Sequence, residues 1–197
     1  MAPEPKVSGI VLAAGAGRRL GSPKADLVYD GQRLVDRAVG TLRAGGCTEV
    51  LAVLRPGQAA AEDARTVVNP EPDRGMGSSL RCALAELERD PRSAACVVLL
   101  VDLVDVRAAE VAAVIERHRA GAQLVAVRRA GQRSHPVLVG RRWYAEFAAA
   151  AEGDQGGRDF FARHLPDISF VDYPDPISDI DTAADLDRAL GQDGSAR

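Results

Sequence analysis

The sequence predicts a three-layer α/β/α fold, in which a mainly parallel sheet is covered by helices on both faces. Short apolar segments alternate with helical segments along most of the 197 residues. The apolar segments are continuous rather than alternating with polar residues, which is typical of strands that are buried on both faces. No linker or internal repeat divides the chain, so we expect a single domain over residues 1–197, with its core at about 7–190.

The strands are predicted where short, β-branched apolar runs stop at a turn residue or a charge. The first run breaks into a glycine-rich loop, the third ends at Asn69–Pro70, and the fourth stops at Asp102. These signals place seven strands at Val7–Ala14, Glu49–Leu54, Arg65–Val68, Cys96–Val101, Leu124–Val127, Ser134–Val139 and Ile168–Val171.

The helices are predicted where apolar residues recur every three or four positions. Gly45–Gly46 ends the first helix, Ser78 or Ser79 caps the second, and Asp105 caps the third. Thr182 and Asp185 have the spacing of a capping box at the last. The helices are Leu34–Ala44, Ser78–Glu88, Val106–Arg119, Trp143–Ala151, Arg158–His164 and Thr182–Leu190.

Composition argues against several classes of protein. The net charge of −3 disfavours a globally basic nucleic-acid binder. Three widely spaced cysteines without a CxxC pair predict neither a disulfide framework nor a zinc site. No apolar run approaches the roughly 18 residues of a membrane span, and the first residues lack the apolar part of a signal peptide. We therefore expect a cytoplasmic protein with no membrane or nucleic-acid partner.

The segment Gly15–Lys24 combines glycines with two arginines and a lysine directly after the first strand. Glycines let the backbone approach a ligand and point N–H groups at an anion, and ligands of such sheets bind beyond the carboxyl ends of strands. The lysine comes too late for a P-loop, and Leu20 stands where a dinucleotide fingerprint has its third glycine. A tight turn with solvated arginines is the remaining alternative.

The loop fits a third pattern, LxxGxGxRxG followed by Pro-Lys, which resembles the signature of the MobA-like NTP transferases. This family includes molybdopterin and sugar-phosphate nucleotidyltransferases. "NPEPDRGMGSSLRCAL" (69–84), "HPVLVGRRWY" (135–144), "EGDQGGRDFFARH" (152–164) and "DPISDIDT" (175–182) resemble its molybdenum-cofactor cytidylyltransferase branch. The resemblance covers roughly residues 7–190 and implies a Rossmann-like nucleotidyltransferase fold. The pattern matches Leu12, Gly15, Gly17, Arg19, Gly21, Pro23 and Lys24.

The resemblance implies transfer of CMP from CTP to the phosphate of molybdopterin, with release of pyrophosphate. Catalysis falls to Arg19, Lys24 and Asp102, with Asp102 and Asp181 as ligands of Mg²⁺, or alternatively Mn²⁺. His135, Asp154 and Arg158 face the acceptor. The nucleotide is held by Leu12, Ala13, Ala14, Gly15, Gly17, Arg19, Lys24, Asn69, Gly75, Ser78 and Ser79. Turn formation and helix capping are the alternative roles of Asn69, Ser78, Ser79 and Asp181.

Two points within the resemblance concern specificity and activity. The cytidylyl branch tends to read Leu-Ala-Ala-Gly where the guanylyl branch reads Leu-Ala-Gly-Gly, and Ala14 therefore favours CTP over GTP. The family's Asp-x-Pro is replaced by Asp102-Leu103-Val104, which is expected to alter the rigidity of that loop. Two alternatives stay open: transfer to another phosphorylated acceptor such as a sugar phosphate, and a non-catalytic module that delivers a cofactor to a molybdoenzyme.

Overall fold

A computed structural model describes residues 6–18, 20–177, 179–180, 182, 184–185, 188 and 190–191. Its centre is a sheet of seven strands in the spatial order β5-β4-β1-β6-β8-β7-β9. The strands of this sheet are β1 (Lys6–Leu12), β4 (Glu49–Leu54), β5 (Arg65–Val68), β6 (Ser93–Leu100), β7 (Leu124–Arg129), β8 (Gln132–Gly140) and β9 (Ile168–Tyr173). A separate hairpin joins β2 (Val28–Tyr29) to β3 (Gln32–Arg33).

The sheet is parallel except at β8, so the predicted mainly parallel sheet is confirmed. β1 pairs parallel with β4 and β6, β4 with β5, and β7 with β9. β8 runs antiparallel to both β6 and β7. Its amino-terminal end therefore lies at the edge of the sheet where the parallel strands have their carboxyl ends.

Helices cover both faces of the sheet, as the three-layer prediction required. The helices are α1 (Leu34–Ala44), α2 (Met76–Glu88), α3 (Ala108–Arg119), α4 (Tyr144–Ala150) and α5 (Arg158–Arg163). Successive side chains of β1 point to opposite faces of the sheet. Val11 packs with α1 and α3, whereas Ile10 and Leu12 pack with α2, α4 and α5. This alternation is the period-2 geometry of a strand that is buried on both faces.

Two helix starts differ from the prediction. The second helix begins at Met76, and the Ser78 hydroxyl donates to the carbonyls of Gly75 (2.7 Å) and Glu71 (3.1 Å) rather than capping the helix. The third begins at Ala108 and not at Val106, so Asp105 is not its N-cap. Both misplacements arise because turns precede the helices, where the hydrophobic pattern is silent.

Of the last predicted helix, Thr182–Leu190, the structure describes residues 182, 184, 185, 188 and 190, and the last four of these are helical. Its capping box is described and confirmed. The Thr182 N–H donates to Asp185 Oδ2 (2.8 Å), and the Asp185 N–H donates to Thr182 Oγ1 (3.2 Å). Across the described residues, no helix is both long enough and apolar enough to cross a membrane.

Arg141 fixes the end of α2 to the sheet. Its guanidinium donates to the carbonyls of Glu88 (2.8 Å) at the end of the helix, Asp90 (2.6 Å) in the following turn and Ser93 (2.9 Å) at the start of β6. The Glu88 carbonyl is one of those that a helix end leaves without an internal partner. Arg141→Met is expected to lower the free energy of unfolding by about 1.5–3 kcal/mol, the usual contribution of charged hydrogen bonds. Urea unfolding measures the change. Arg142→Met, at the exposed neighbouring position, is the control, and an equal loss there would contradict this role of Arg141.

Candidate active site

A cleft of about 370 Å³ opens at the carboxyl edge of the parallel strands. Four segments meet there: the loop after β1, the residue after β4, the turn before α2, and the loop after β6. The topology thus gathers side chains that are far apart in sequence, as expected for ligand sites of open α/β sheets. The cleft is lined by Leu12, Ala14–Arg18, Lys24, Arg55, Pro72, Asp73, Gly75, Met76, Ser79, Leu100–Asp102 and Asp154.

Gly15 and Gly17 in the first loop are glycines for different structural reasons. Gly17 has φ +58°, and a Cβ there would lie 1.8 Å from the carbonyl oxygen of Ser22. Gly15 lines the cleft, and a Cβ at that position would meet no atom within 4 Å. Gly17 is therefore required by the turn itself, whereas Gly15 leaves space that a ligand could approach. Arg19, predicted to contact the triphosphate, lies outside the described residues.

Lys24 and Asp102 form an ion pair inside the cleft. Lys24 begins a 3₁₀ turn after Pro23, and its Nζ lies 2.7 Å from Asp102 Oδ2. Both side chains are largely buried, at 16% and 19% exposure. The two residues predicted to act on the phosphates and the metal are thus brought together from loops 78 positions apart.

The loop of Asp102 is held without the family's proline. The backbone N–H groups of Val104 and Ile180 both donate to the Asp102 carbonyl at 3.2 Å, and the Val104 side chain is buried. Two backbone hydrogen bonds and the buried Val104 side chain therefore hold this loop in place. Asp181, the other predicted metal ligand, lies outside the described residues.

Asp102 fits the ligand chemistry of a magnesium-type ion that is shared with a substrate. Such ions use one or two protein carboxylates and take further oxygens from phosphates and water. The cleft also exposes the carboxylates of Asp73 and Asp154. Within the described part of the chain, no group of three or more His, Cys, Asp or Glu residues could hold a metal by itself. The donor set thus suits an ion that arrives with a nucleotide.

Arg55 is a cleft residue that the sequence analysis missed. It follows β4 directly, and its guanidinium donates to the Ala14 carbonyl and to Asp73 Oδ1, both at 3.1 Å. It therefore joins the glycine-rich loop to the turn before α2 and adds a positive charge to the cleft wall. Its position directly after a buried strand was the available signal.

The predicted nucleotide contacts divide into residues that line the cleft and residues that support it. Ser79 lines the cleft, but Asn69 and Ser78 do not. The Asn69 side-chain amide is buried and donates to the hydroxyls of Ser78 (2.8 Å) and Ser79 (3.0 Å). Ala13 is also buried, and its N–H donates to the Val53 carbonyl at 3.0 Å. Asn69, Ser78 and Ala13 thus shape the loops rather than face a ligand.

The start of α2 packs directly on the loop that precedes α5. A Cβ on Gly75, which has φ +89°, would lie 2.4 Å from the carbonyl carbon of Gly153. A Cβ on Gly77 would lie 2.6 Å from the carbonyl group of Ala151. Gly75 and Gly77 therefore let the two segments touch, and Gly75, predicted to contact the nucleotide, also lines the cleft.

A second cavity of about 140 Å³ adjoins the cleft and shares Leu12, Met76, Leu100 and Asp154 with it. The three predicted acceptor residues, His135, Asp154 and Arg158, all line this cavity. They come from β8, from the turn Gly153–Gln155 and from the start of α5. Burial, with the nearby positive charge of Arg133, lowers the pKa of His135 to about 4, so its imidazole is neutral at pH 7.

The fold and the cleft define a class of proteins: α/β proteins with an open cleft at the carboxyl edge of a mainly parallel sheet. The chain matches the model of the MobA-like NTP transferase domain over residues 9–168. It belongs to this family, which confirms the resemblance drawn from the glycine-rich loop.

Two named relatives resemble nearly the whole chain. Nicotine blue oxidoreductase from Paenarthrobacter nicotinovorans is 33% identical, with 94% of this chain and 97% of the relative covered. A molybdenum cofactor guanylyltransferase from Rhizobium leguminosarum is 28% identical, with 93% and 91% covered. Relatives at similar sequence identity to this chain thus carry different named activities.

Solved structures show the same architecture. Rv0371c from Mycobacterium tuberculosis has a TM-score of 0.82 at 28% identity, and 96% of this chain and 99% of that one are covered. The same protein has been solved in complex with manganese, with a TM-score of 0.75 at 25% identity over 96% and 100% of the chains. A structural relative therefore binds a divalent ion.

Gly15 and Gly17 give opposite expectations for alanine substitution. Gly15→Ala fits the empty cleft, so its melting temperature should match that of the wild type while nucleotide affinity falls. Gly17→Ala must change the turn at a positive φ and is expected to lower the unfolding free energy by about 1 kcal/mol or more. Thermal unfolding and nucleotide titration of both variants test this. A Gly15→Ala protein with unchanged nucleotide affinity would contradict ligand approach at this glycine.

His135 makes stability depend on pH. Its pKa of about 4 in the folded protein lies below the ordinary value of 6.5, so the unfolded chain binds the proton first as pH falls. Stability is fully present above pH 6.5 and is lost towards pH 4. Between pH 7 and 4.5, the wild type should lose about 2–3 kcal/mol more than His135→Asn in urea unfolding. Equal losses in the two proteins would show that His135 titrates normally.

Proposed function

We propose that the protein transfers a nucleoside monophosphate from a nucleoside triphosphate to the phosphate of an acceptor, and that the whole chain acts as one such domain. The observation that carries the proposal is the Lys24–Asp102 pair, at 2.7 Å, in a cleft walled by the glycine-rich loop. Lys24 offers a positive charge to a phosphate, and beside it Asp102 offers a carboxylate to a divalent ion. The adjoining cavity supplies a place for the acceptor.

The proposed reaction needs no covalent intermediate on the protein. An oxygen of the acceptor phosphate forms a bond to the α-phosphorus of the triphosphate. The bond from that phosphorus to the oxygen bridging to the β-phosphorus breaks, and pyrophosphate leaves with the electron pair. Positioning and charge stabilisation are therefore the whole task of the site.

Each cleft residue has a part in this task. The backbone around Gly15 and Gly17 faces the triphosphate, and Lys24 stabilises charge at the α-phosphate. Asp102 would hold Mg²⁺ or Mn²⁺, an ion that would neutralise phosphate charge when bound. Arg19, as the sequence suggests, adds a further charge to the triphosphate side, and Asp181 is kept as a second carboxylate for the ion.

We propose CTP as the nucleotide and molybdopterin as the acceptor, with a molybdoenzyme as the protein that receives the product. The support for CTP is Ala14, which lines the cleft and places a methyl group where the guanylyl branch has only hydrogen. The support for molybdopterin is the resemblance of the segments at 69–84 and 152–164 and the relative named as a molybdenum cofactor guanylyltransferase.

A second candidate is an oxidoreductase activity, because the relative at 33% identity carries the name nicotine blue oxidoreductase.

One assay distinguishes the candidate functions. If the protein is a transferase, purified protein with a divalent ion, each nucleoside triphosphate in turn and candidate acceptors should release pyrophosphate. Pyrophosphate with a sugar phosphate alone would replace molybdopterin as the acceptor. Saturable CTP binding without any release would identify a delivery module. Redox conversion of nicotine blue with an added electron donor or acceptor, again without release of pyrophosphate, would replace transfer by redox chemistry.

Lys24→Ala and Asp102→Ala should each reduce pyrophosphate release by at least about a hundredfold, the scale of losing one electrostatic contact to a transition state. Lys6→Met is the matched control. It breaks a similar ion pair, Lys6 to Glu49 at 2.6 Å and 14%/25% exposure, which lies at the opposite edge of the sheet. Circular dichroism checks folding. Near-normal turnover of either cleft variant would refute its proposed role.

Ala14→Gly tests the nucleotide choice. Removing the methyl group should raise the use of GTP relative to CTP, by about tenfold, the scale expected for one methyl group in a binding pocket. The ratio of kcat/KM for the two nucleotides measures it. An unchanged ratio would mean that Ala14 does not distinguish the bases.

A further inference from the structure

Two arginines converge on the acceptor cavity. Arg133 lies near the start of β8 and Arg158 begins α5, and both line the cavity of about 140 Å³. Burial, and after it the positive charge of Arg158, lower the pKa of the Arg133 guanidinium. The cavity thus brings two positive charges to one wall.

Neither arginine is paired with a carboxylate of the described residues. Among the described residues, Asp154 is the carboxylate of the cavity lining, and it also lines the nucleotide cleft. Arg128, the cross-strand neighbour of Arg133, does have a carboxylate partner. It donates to both carboxylate oxygens of Asp172, at 2.5 and 2.9 Å.

Stacking holds Arg133 in place and leaves its N–H groups available. Its guanidinium carbon lies 4.7 Å from the centre of the Phe161 ring. Eight apolar side chains line the same cavity. They lower the local dielectric, so an uncompensated charge there is costly and a bound anion offsets that cost. The apolar lining consists of Leu12, Met76, Leu80, Val98, Leu100, Val137, Phe147 and Phe161.

We propose that Arg133, together with Arg158, binds the phosphate group of the acceptor and makes this site select a phosphomonoester. The proposal rests on the proposed transfer reaction and names a residue, Arg133, that the sequence analysis did not. Guanidinium groups suit phosphate because their N–H donors match its oxygens in pairs. Two positive charges also offset the repulsion between a phosphate dianion and the triphosphate that it attacks.

Kinetics with the full chain test the role in transfer. Arg133→Met should raise the KM for the acceptor about 10- to 100-fold, the loss expected for one charged hydrogen-bonded contact, while the KM for the nucleotide stays unchanged. Arg133→Lys keeps the positive charge but lacks the paired N–H donors, so its KM for the acceptor should lie between those of the wild type and Arg133→Met. Arg128→Met is the control, because Arg128 stacks on Phe170 at the same 4.7 Å but outside the cavity.

Calorimetric titration with inorganic phosphate tests the site without turnover. Wild-type protein and Arg128→Met should bind phosphate with the same affinity, and Arg133→Met and Arg158→Met should bind at least tenfold more weakly. Arg158 is exposed, so its variant keeps the test valid if Arg133→Met does not fold. Equal phosphate affinity in all four proteins would overturn the proposal. Arginine-dependent phosphate binding without any pyrophosphate release would instead refute the transfer reaction.

Discussion

The parallel pairing of β1 with both β4 and β6 is the constraint on which the site depends. Leu12 lies opposite Val53 on one side and Leu100 on the other, so the three strands end at the same level. The residues that follow them therefore meet at one edge. A slip of one residue in either pairing would move buried side chains to the wrong face, so core packing also fixes the position of the cleft.

The single antiparallel strand completes the site. Because β8 runs against β6, its amino-terminal residues reach the edge where the parallel strands end. This direction brings Arg133 and His135 beside the loops after β1 and β6. The cleft thus has a polar side built from carboxyl-terminal loops and a second side built from the start of β8 and α5. Two phosphorylated molecules could approach each other across Leu12 and Leu100, which both cavities share.

Apolar patterns predicted the fold, and the family resemblance pointed to Lys24 and Asp102. Their contact at 2.7 Å became visible only in the structure, where the strands end at one edge of the sheet. Sequence patterns did not predict the role of Asn69, because an amide that binds a base and an amide that ties two serines look alike in a sequence. Arg55 and Arg133 were missed for another reason. Among 25 lysines and arginines, only the tertiary fold shows which ones turn inwards, and for Arg133 the direction of β8 had to be known first.

The contact between the start of α2 and the loop at 151–157 limits how this protein can diverge. Neither Gly75 nor Gly77 has room for a Cβ, because the backbone of Ala151 and Gly153 packs directly against the backbone at the start of α2. An acceptor loop transplanted from another member of the family would have to bring its own matching helix start. Under the proposed function, a change in the acceptor loop at 151–157 therefore requires a matching change at the start of α2, which also borders the nucleotide cleft. Acceptor specificity and nucleotide specificity are thus expected to change together during evolution.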